Sequence, residues 1–228
     1  MYRRPQILVL LLACLLAGCS LVDKVKVIEY PPLDWSVYTH RLEETGCTGR
    51  LQESCPELYA LGCDTISSPP FYVGGFQPAY PVMACLHEGT DNPNPEYFRQ
   101  PAGLDRRYRA IAIFQDGAYK LIKKEDFKDI FSPIESADEA ISYAMAVTSL
   151  GARFDIDPDA NVTYLVDTIE ETHAEETSGG YLVYLFTSDG EMGCSMHTFY
   201  DVKVLVTREG DIQEMERREI YKSDSCFD

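Results

Sequence analysis

Two β-prone runs near the C-terminus, residues 197–207 and 212–222, flank Arg208-Glu209-Gly210-Asp211, and their pairing constrains the chain more than any other feature. The first run sets Tyr200, Val202, Val204 and Val206 at alternate positions, the period of a strand with one buried face. A short polar connection containing glycine makes the two runs an antiparallel hairpin. In such a ladder the numbers of facing residues keep a constant total. If Thr207 faces Ile212 that total is 419, and a bulge moves it by one. Cys194 and Cys226 total 420. Both cysteines therefore reach the open end of one hairpin, at separations a disulfide can span, and a Cys194–Cys226 bridge is predicted.

A bridge requires an oxidising compartment, and the N-terminus speaks to that. Arg3 and Arg4 precede an uncharged stretch, residues 7–16, that ends in "LLACLLAGCS". Crossing a bilayer takes roughly 20 apolar residues, so this run is too short for a permanent span and reads as an export signal. Leu16-Ala17-Gly18-Cys19 resembles the lipobox of bacterial lipoproteins. In that family the cysteine sulfur is acylated, the chain is cut before it, and the new amine is acylated in turn. The resemblance implies a mature chain starting at Cys19 and held to a lipid bilayer by acyl chains, palmitate among them. One chain anchors marginally, and two or more anchor firmly. In Gram-negative members Asp after the cysteine retains the protein in the inner membrane. Ser20 in that place implies the outer membrane.

Removal of residues 1–18 from the 228 leaves 210, enough for one large domain. Arg3 and Arg4 leave with the leader, taking the formal charge from −17 to −19. Nucleic-acid binding needs the opposite sign and is excluded. An acidic surface keeps the chain soluble and steers a basic protein partner toward it. Of the eight cysteines, Cys14 leaves with the leader and Cys19 takes lipid. The other six predict disulfides. Beyond Cys194–Cys226, sequence neighbours are expected to pair, Cys47 with Cys55 and Cys63 with Cys85.

The expected organisation is a leader over 1–18, a short tether over 19–33, a Cys- and Pro-rich region over 34–106, and an α+β domain over 107–228 that packs with it as one unit. Asp34 and Gly46 bound one short helix. Ser54, Pro56, Glu57 and Gly62 bound a second through a capping box. Residues 67–106 read as loop, with one strand near 82–86. "YRAIAIFQDGAYKLIK" reads as a hairpin turning at Asp116-Gly117, and residues 123–131 as a short helix. Ser136 and Glu139 form a capping box that opens the main helix, expected to run to Leu150 and stop at Gly151. Its broad apolar side suits a helix lying across a sheet. Strands follow at 162–169, 181–187, 197–207 and 212–222, the last charged in the manner of a protected edge. The fold class is therefore α+β: a disulfide-rich irregular N-terminal part, a β-hairpin, one main helix and a four-stranded antiparallel sheet. Cystatin-like and NTF2-like architectures are analogues of that layout in fold alone.

No catalytic set emerges. There is no G-x-S-x-G elbow, no phosphate-cradling G-x-x-x-x-G-K and no HExxH pair, so no catalytic residue and no cofactor are assigned. Met192, Cys194, Met196 and His197 are copper-type ligands. Met196 and His197 are adjacent, however, and point to opposite faces of a strand, while a bridged Cys194 offers no thiolate. Asp155, Asp157 and Asp159 begin like a calcium loop, but Ala160 and Val166 stand where that loop needs Gly and Glu. No metal site is assigned. "IEETHAEETSGG" is read as a solvated hairpin loop. The function expected is a membrane-anchored envelope lipoprotein serving as a non-catalytic binding or structural module. The alternatives are a periplasmic hydrolase or metal-dependent enzyme of unfamiliar type, and an acidic inhibitor of a basic protein such as a lysozyme.

Overall fold

The computed structural model describes residues 25–34, 45–47, 51–66, 75–87, 98–99, 108–148, 150–159, 162–189 and 193–227. Among them the chain is mixed helix and strand, and mostly sheet. The strands are β1 (Lys26–Ile28), β2 (Thr65–Ile66), β3 (Val82–His87), β4 (Phe98–Arg99), β5 (Tyr108–Gln115), β6 (Ala118–Ile122), β7 (Thr163–Tyr164), β8 (Thr168–Glu170), β9 (His173–Thr177), β10 (Gly180–Ser188), β11 (Gly193–Thr207) and β12 (Ile212–Phe227). The helices are α1 (Leu51–Ser54), α2 (Pro56–Ala60), α3 (Lys124–Phe131) and α4 (Ala137–Val147).

The hairpin β5–β6 turns at Asp116-Gly117, both in the left-handed region with φ of 55° and 79°, which matches the right-handed twist of the flanking strands. It is not an isolated ribbon. β5 also pairs antiparallel with β3 and β4, and β3 pairs with β2. The N-terminal region, expected to be irregular, thus contributes strands to a five-stranded sheet. The strand period assigns its two faces to different cores. Val82, Ile111, Ile113 and Ile122 face α3 and α4, whereas Met83, Cys85, Ala110 and Ala112 face Leu51, Leu58 and the bridged cysteines. Cys47 is bonded to Cys55 and Cys63 to Cys85. The two bonds tie short helical turns onto a sheet face whose centre offers the small side chains of Ala110 and Ala112. Cys55, not Ser54, is the N-cap of α2 and makes no side-chain cap bond, because Ser54 belongs to the preceding turn α1. The expected capping box is therefore absent, although Pro56 does open the helix. Residues 35–44, which include most of the first expected helix, and Trp35 and His40 within it, lie outside the described residues.

The second sheet has the order β7-β12-β11-β10-β9. It holds five strands rather than four, because the acidic "loop" forms β9; the first expected run divides into β7, which stays in this sheet, and β8, which pairs with β1 instead. In the β11–β12 hairpin the paired numbers total 418 from Val206↔Ile212 to Val204↔Glu214, then 419 to Tyr200↔Glu219, then 420 from Phe199↔Tyr221 outward. The turn is one residue wider than the Thr207–Ile212 facing assumed, and two bulges on β12, at Met215 and Ile220, restore the offset. Cys194 and Cys226 end as Cα partners. Their side chains lie outside the described residues.

Tyr181, Val183 and Leu185 of β10 join Val202, Val204 and Val206 of β11 in the core that also takes Ile111 and Ile113 from the first sheet. Helices α3 and α4 lie between these two apolar faces. Ser136 and Glu139 form both halves of the predicted capping box, and α4 then buries Ala140, Ile141, Tyr143, Ala144, Met145 and Ala146. A helix apolar nearly all round is one enclosed between layers. It stops at Val147 rather than Leu150, since Gly151 pairs by its backbone with Phe186 of β10 and draws the chain back to the sheet. None of the described helices is long and apolar enough to cross a membrane.

Gly75 marks the closest approach to α4. Its N–H donates to Ser142 Oγ at 3.0 Å, and a β-carbon there would lie 2.2 Å from the Asp138 carbonyl oxygen. Gly75→Ala should therefore push the segment off the helix and lower stability by about 1–3 kcal/mol. A urea denaturation midpoint equal to that of the parent would contradict this packing.

Candidate functional site

Among the described residues, polar and aromatic side chains converge around His173, a residue of the stretch expected to be a solvated loop. The first residue of β9, His173 pairs with Tyr184 of β10. Its ring stacks on that tyrosine with centroids 4.0 Å apart and on Tyr30 with centroids 3.7 Å apart. The imidazole is thus enclosed, with 7% of the residue exposed. Nδ1 lies 2.7 Å from the carbonyl oxygen of Glu171. A carbonyl only accepts, so Nδ1 carries the proton and donates it. Nε2 is buried without a hydrogen-bond partner, 3.6 Å from Glu170 Oε2 and 3.9 Å from Glu175 Oε1.

Tyr30 comes from the segment expected to be a free tether. Instead, β1 pairs parallel with β8, Lys26 opposite Thr168 and Ile28 opposite Glu170. The Tyr30 N–H donates to Glu171 Oε2 at 3.1 Å and its hydroxyl reaches Glu170 Oε2 at 3.5 Å. The other Glu171 oxygen accepts from the Ile156 N–H at 2.7 Å. One buried carboxylate therefore joins the N-terminal segment to the acidic loop at 155–159. Val25 is buried with Ile169, Phe186, Phe199, Ile220 and Tyr221, where the Arg153 guanidinium lies over the Phe199 and Tyr221 rings and donates to the Tyr221 hydroxyl. Desolvation, and then the charges of Glu170 and Glu175, push the Tyr30 hydroxyl above its usual pKa; burial and Glu175 do the same for Tyr184.

Beyond Tyr184 the outer sheet face carries ion pairs. Lys203 Nζ lies 5.3 Å over the Tyr184 ring and 2.7 Å from Glu216 Oε2. Arg217, on the opposite face of β12 and level with Val202 of β11, grips Glu214 with two bonds of 3.0 and 2.9 Å. Arg218 holds both oxygens of Asp201. The hydrogen bond from Lys203 draws the Glu216 carboxyl below the usual range, and the one from Arg217 does so for Glu214. Pairs this exposed contribute little to stability.

An open cleft of about 700 Å³ lies at the opposite end of the sheet, lined by Lys124, Lys128, Tyr143, Thr148, Gly210 and Asp211. Lys128 bonds Asp211 at 2.5 Å. The Tyr143 hydroxyl is pushed up to about 12, by burial first and then by the charges of Asp211 and Asp129.

The remaining predicted positions fall as follows. Asp155, Asp157 and Asp159 are exposed. The Asp159 N–H donates to the Tyr164 hydroxyl at 2.9 Å, so the loop is held by an aromatic side chain. His197 is 1% exposed and Met196 57%, opposite faces of β11 as expected for neighbours on a strand. Among the described residues no group of three His, Cys, Asp or Glu is set to hold a metal ion. Cys19 lies outside the described residues. The acidity of "HAEET" concealed β9, yet a signal was present: His173, Glu175 and Thr177 alternate with Ala174 and Glu176 ahead of a Ser178-Gly179 turn. What the His173 arrangement does is clamp the N-terminal segment, since its free nitrogen is closed to solvent.

Because Tyr143 has a higher pKa folded than its ordinary value of 10.0, the stability it contributes is complete below pH 10 and is lost as pH rises through about 12. Tyr143→Phe should flatten that part of the stability profile in alkaline melts. A variant that loses stability over the same range as the parent would refute the assignment.

No protein-family model, curated protein or solved structure matches the chain, so the arrangement of these residues carries the functional reading by itself.

Proposed function

We propose that the chain is an exported envelope lipoprotein, anchored through acylated Cys19, that binds a cationic protein and catalyses no reaction. The observation that carries this reading is the pair of bridges Cys47–Cys55 and Cys63–Cys85, packed with Leu51 and Leu58 against the first sheet. Disulfides of this structural kind persist outside the reducing cytosol, in agreement with the lipobox-like "LAGC". The Cα pairing of Cys194 with Cys226 supports a third bridge. The charge supports the partner. Lys203 and Arg218 on the outer sheet face, and Arg217 on the other face of β12, are each bound to carboxylates, while Asp155, Asp157 and Asp167 are exposed. A chain at −17 attracts basic surfaces. The absence of catalysis rests on the His173 imidazole being sealed between two rings, where no substrate reaches Nε2.

Expression with labelled palmitate tests the anchor. Label should enter the parent and vanish in Cys19→Ala. The intact mass of the extracted protein should lack six hydrogens relative to the reduced form, and six free thiols would overturn the compartment. Binding of lysozyme as a cationic probe should weaken sharply between low and high salt. Equal binding at both, or none at either, would remove the electrostatic partner from the reading.

A further inference from the structure

Tyr143 carries a polar atom that the fold leaves without a partner. The residue is 2% exposed, and its ring packs on Phe127 inside the main core. Its hydroxyl reaches past that core to Gly210, where an added β-carbon would lie 2.8 Å from the oxygen. Both residues line the cleft of about 700 Å³ beside the 208–211 turn. Among the described residues the hydroxyl makes no hydrogen bond. Its neighbours do: Ser132 Oγ donates to the Glu209 carbonyl and Thr148 Oγ1 to that of Ala144. A hydroxyl drawn out of bulk water on a buried ring costs free energy until something pairs with it.

The rest of the lining selects that something. Lys128 and Asp211 close one ion pair, Nζ to Oδ1 at 2.5 Å. Lys124 and Glu125 stand on the first turn of α3, and their side chains pair with no described residue. Two ammoniums and two carboxylates make the cleft neutral within a chain at −17. An anion alone meets both carboxylates, a cation alone meets both lysines, and an apolar ligand leaves the hydroxyl unpaired. A zwitterion answers both signs. At the hydroxyl itself, burial and then the charges of Asp211 and Asp129 push the pKa up to about 12. The oxygen therefore keeps its proton and donates it, and those two charges favour an uncharged acceptor such as a carbonyl.

We propose that this cleft binds a short peptide with free termini, its carboxylate on Lys124, its ammonium on Glu125 and Asp211, and an internal carbonyl on the Tyr143 hydroxyl. The volume lies within the range of clefts that hold small ligands. The site goes beyond the cationic protein partner and does not depend on the lipid anchor.

Titration calorimetry of the full chain in detergent, with trialanine as the probe, tests this. Trialanine should bind at one site, and N-acetyl-trialanine amide, which lacks both charges, should bind roughly tenfold more weakly. Tyr143→Phe removes only the hydroxyl and should weaken trialanine roughly three- to tenfold, the worth of one hydrogen bond. Its urea midpoint at pH 7 should equal the parent's, because no internal bond is lost. Lys124→Gln, at an exposed position, should weaken the free peptide and leave the blocked one unchanged. No binding of trialanine, equal binding of the two peptides, or a Tyr143→Phe variant as tight as the parent overturns the inference. A Tyr143→Phe midpoint below the parent's reveals an internal partner for the hydroxyl and overturns it as well. Palmitate labelling at Cys19 is unaffected by every one of these outcomes, so the anchor is judged separately.

Discussion

Enclosure of α4 on both sides is the constraint from which the rest of the molecule is arranged. A helix carrying Ala140, Ile141, Tyr143, Ala144 and Met145 around most of its circumference cannot rest on a single sheet, because half of that surface would face water. It needs a second apolar layer. β5 supplies one with Ile111 and Ile113, and the valines of β11 supply the other. Phe127 and Phe131 of α3, packed with Phe76 and Phe98, fill the space beside it. The small side chains of Ala140 and Ala144 let the layers approach, and Gly75 extends the principle to a loop that touches the helix backbone.

A sheet with both faces covered poses a further problem for the first half of the chain. The inner face of β5 is aliphatic, but the middle of its outer face bears only Ala110 and Ala112. Such a face has little to bury, so covalent bonds do part of what a larger core would do. Cys63 is bonded directly to Cys85 on β3, and the Cys47–Cys55 bond accepts a hydrogen bond from the Tyr119 hydroxyl of β6 at 2.7 Å. The cysteine-rich region is thus the second wall of a β5-centred layer.

Local chemistry was readable wherever it stood alone. The Asp116-Gly117 turn, the Ser136–Glu139 cap and the alternation of Val202, Val204 and Val206 each state one structure in a few residues, and each formed. The Ser54 cap failed locally, because Ser54 belongs to α1; in the other failures a distant partner decided the outcome. Gly151 reads as a helix stop, yet its backbone pairs with Phe186. "HAEET" reads as solvated acid, yet Tyr30 and Tyr184 enclose its histidine. Tyr30 sits 143 positions before His173, and nothing in either neighbourhood names the other. The parallel pairing of β1 with β8 leaves the same silence, because three residues of strand carry no periodicity.

The two bulges on β12 give the long hairpin the character of a vernier scale. Each extra residue advances one edge of the ladder by a single step, and only both together bring position 226 level with 194. Related chains should accordingly vary in length at the 207–211 turn, where a change leaves the pairing further along untouched. Were either bulge flattened with Met215 or Ile220 kept in the ladder, every later side chain of β12 would slip by one partner and turn to the wrong side of the ribbon.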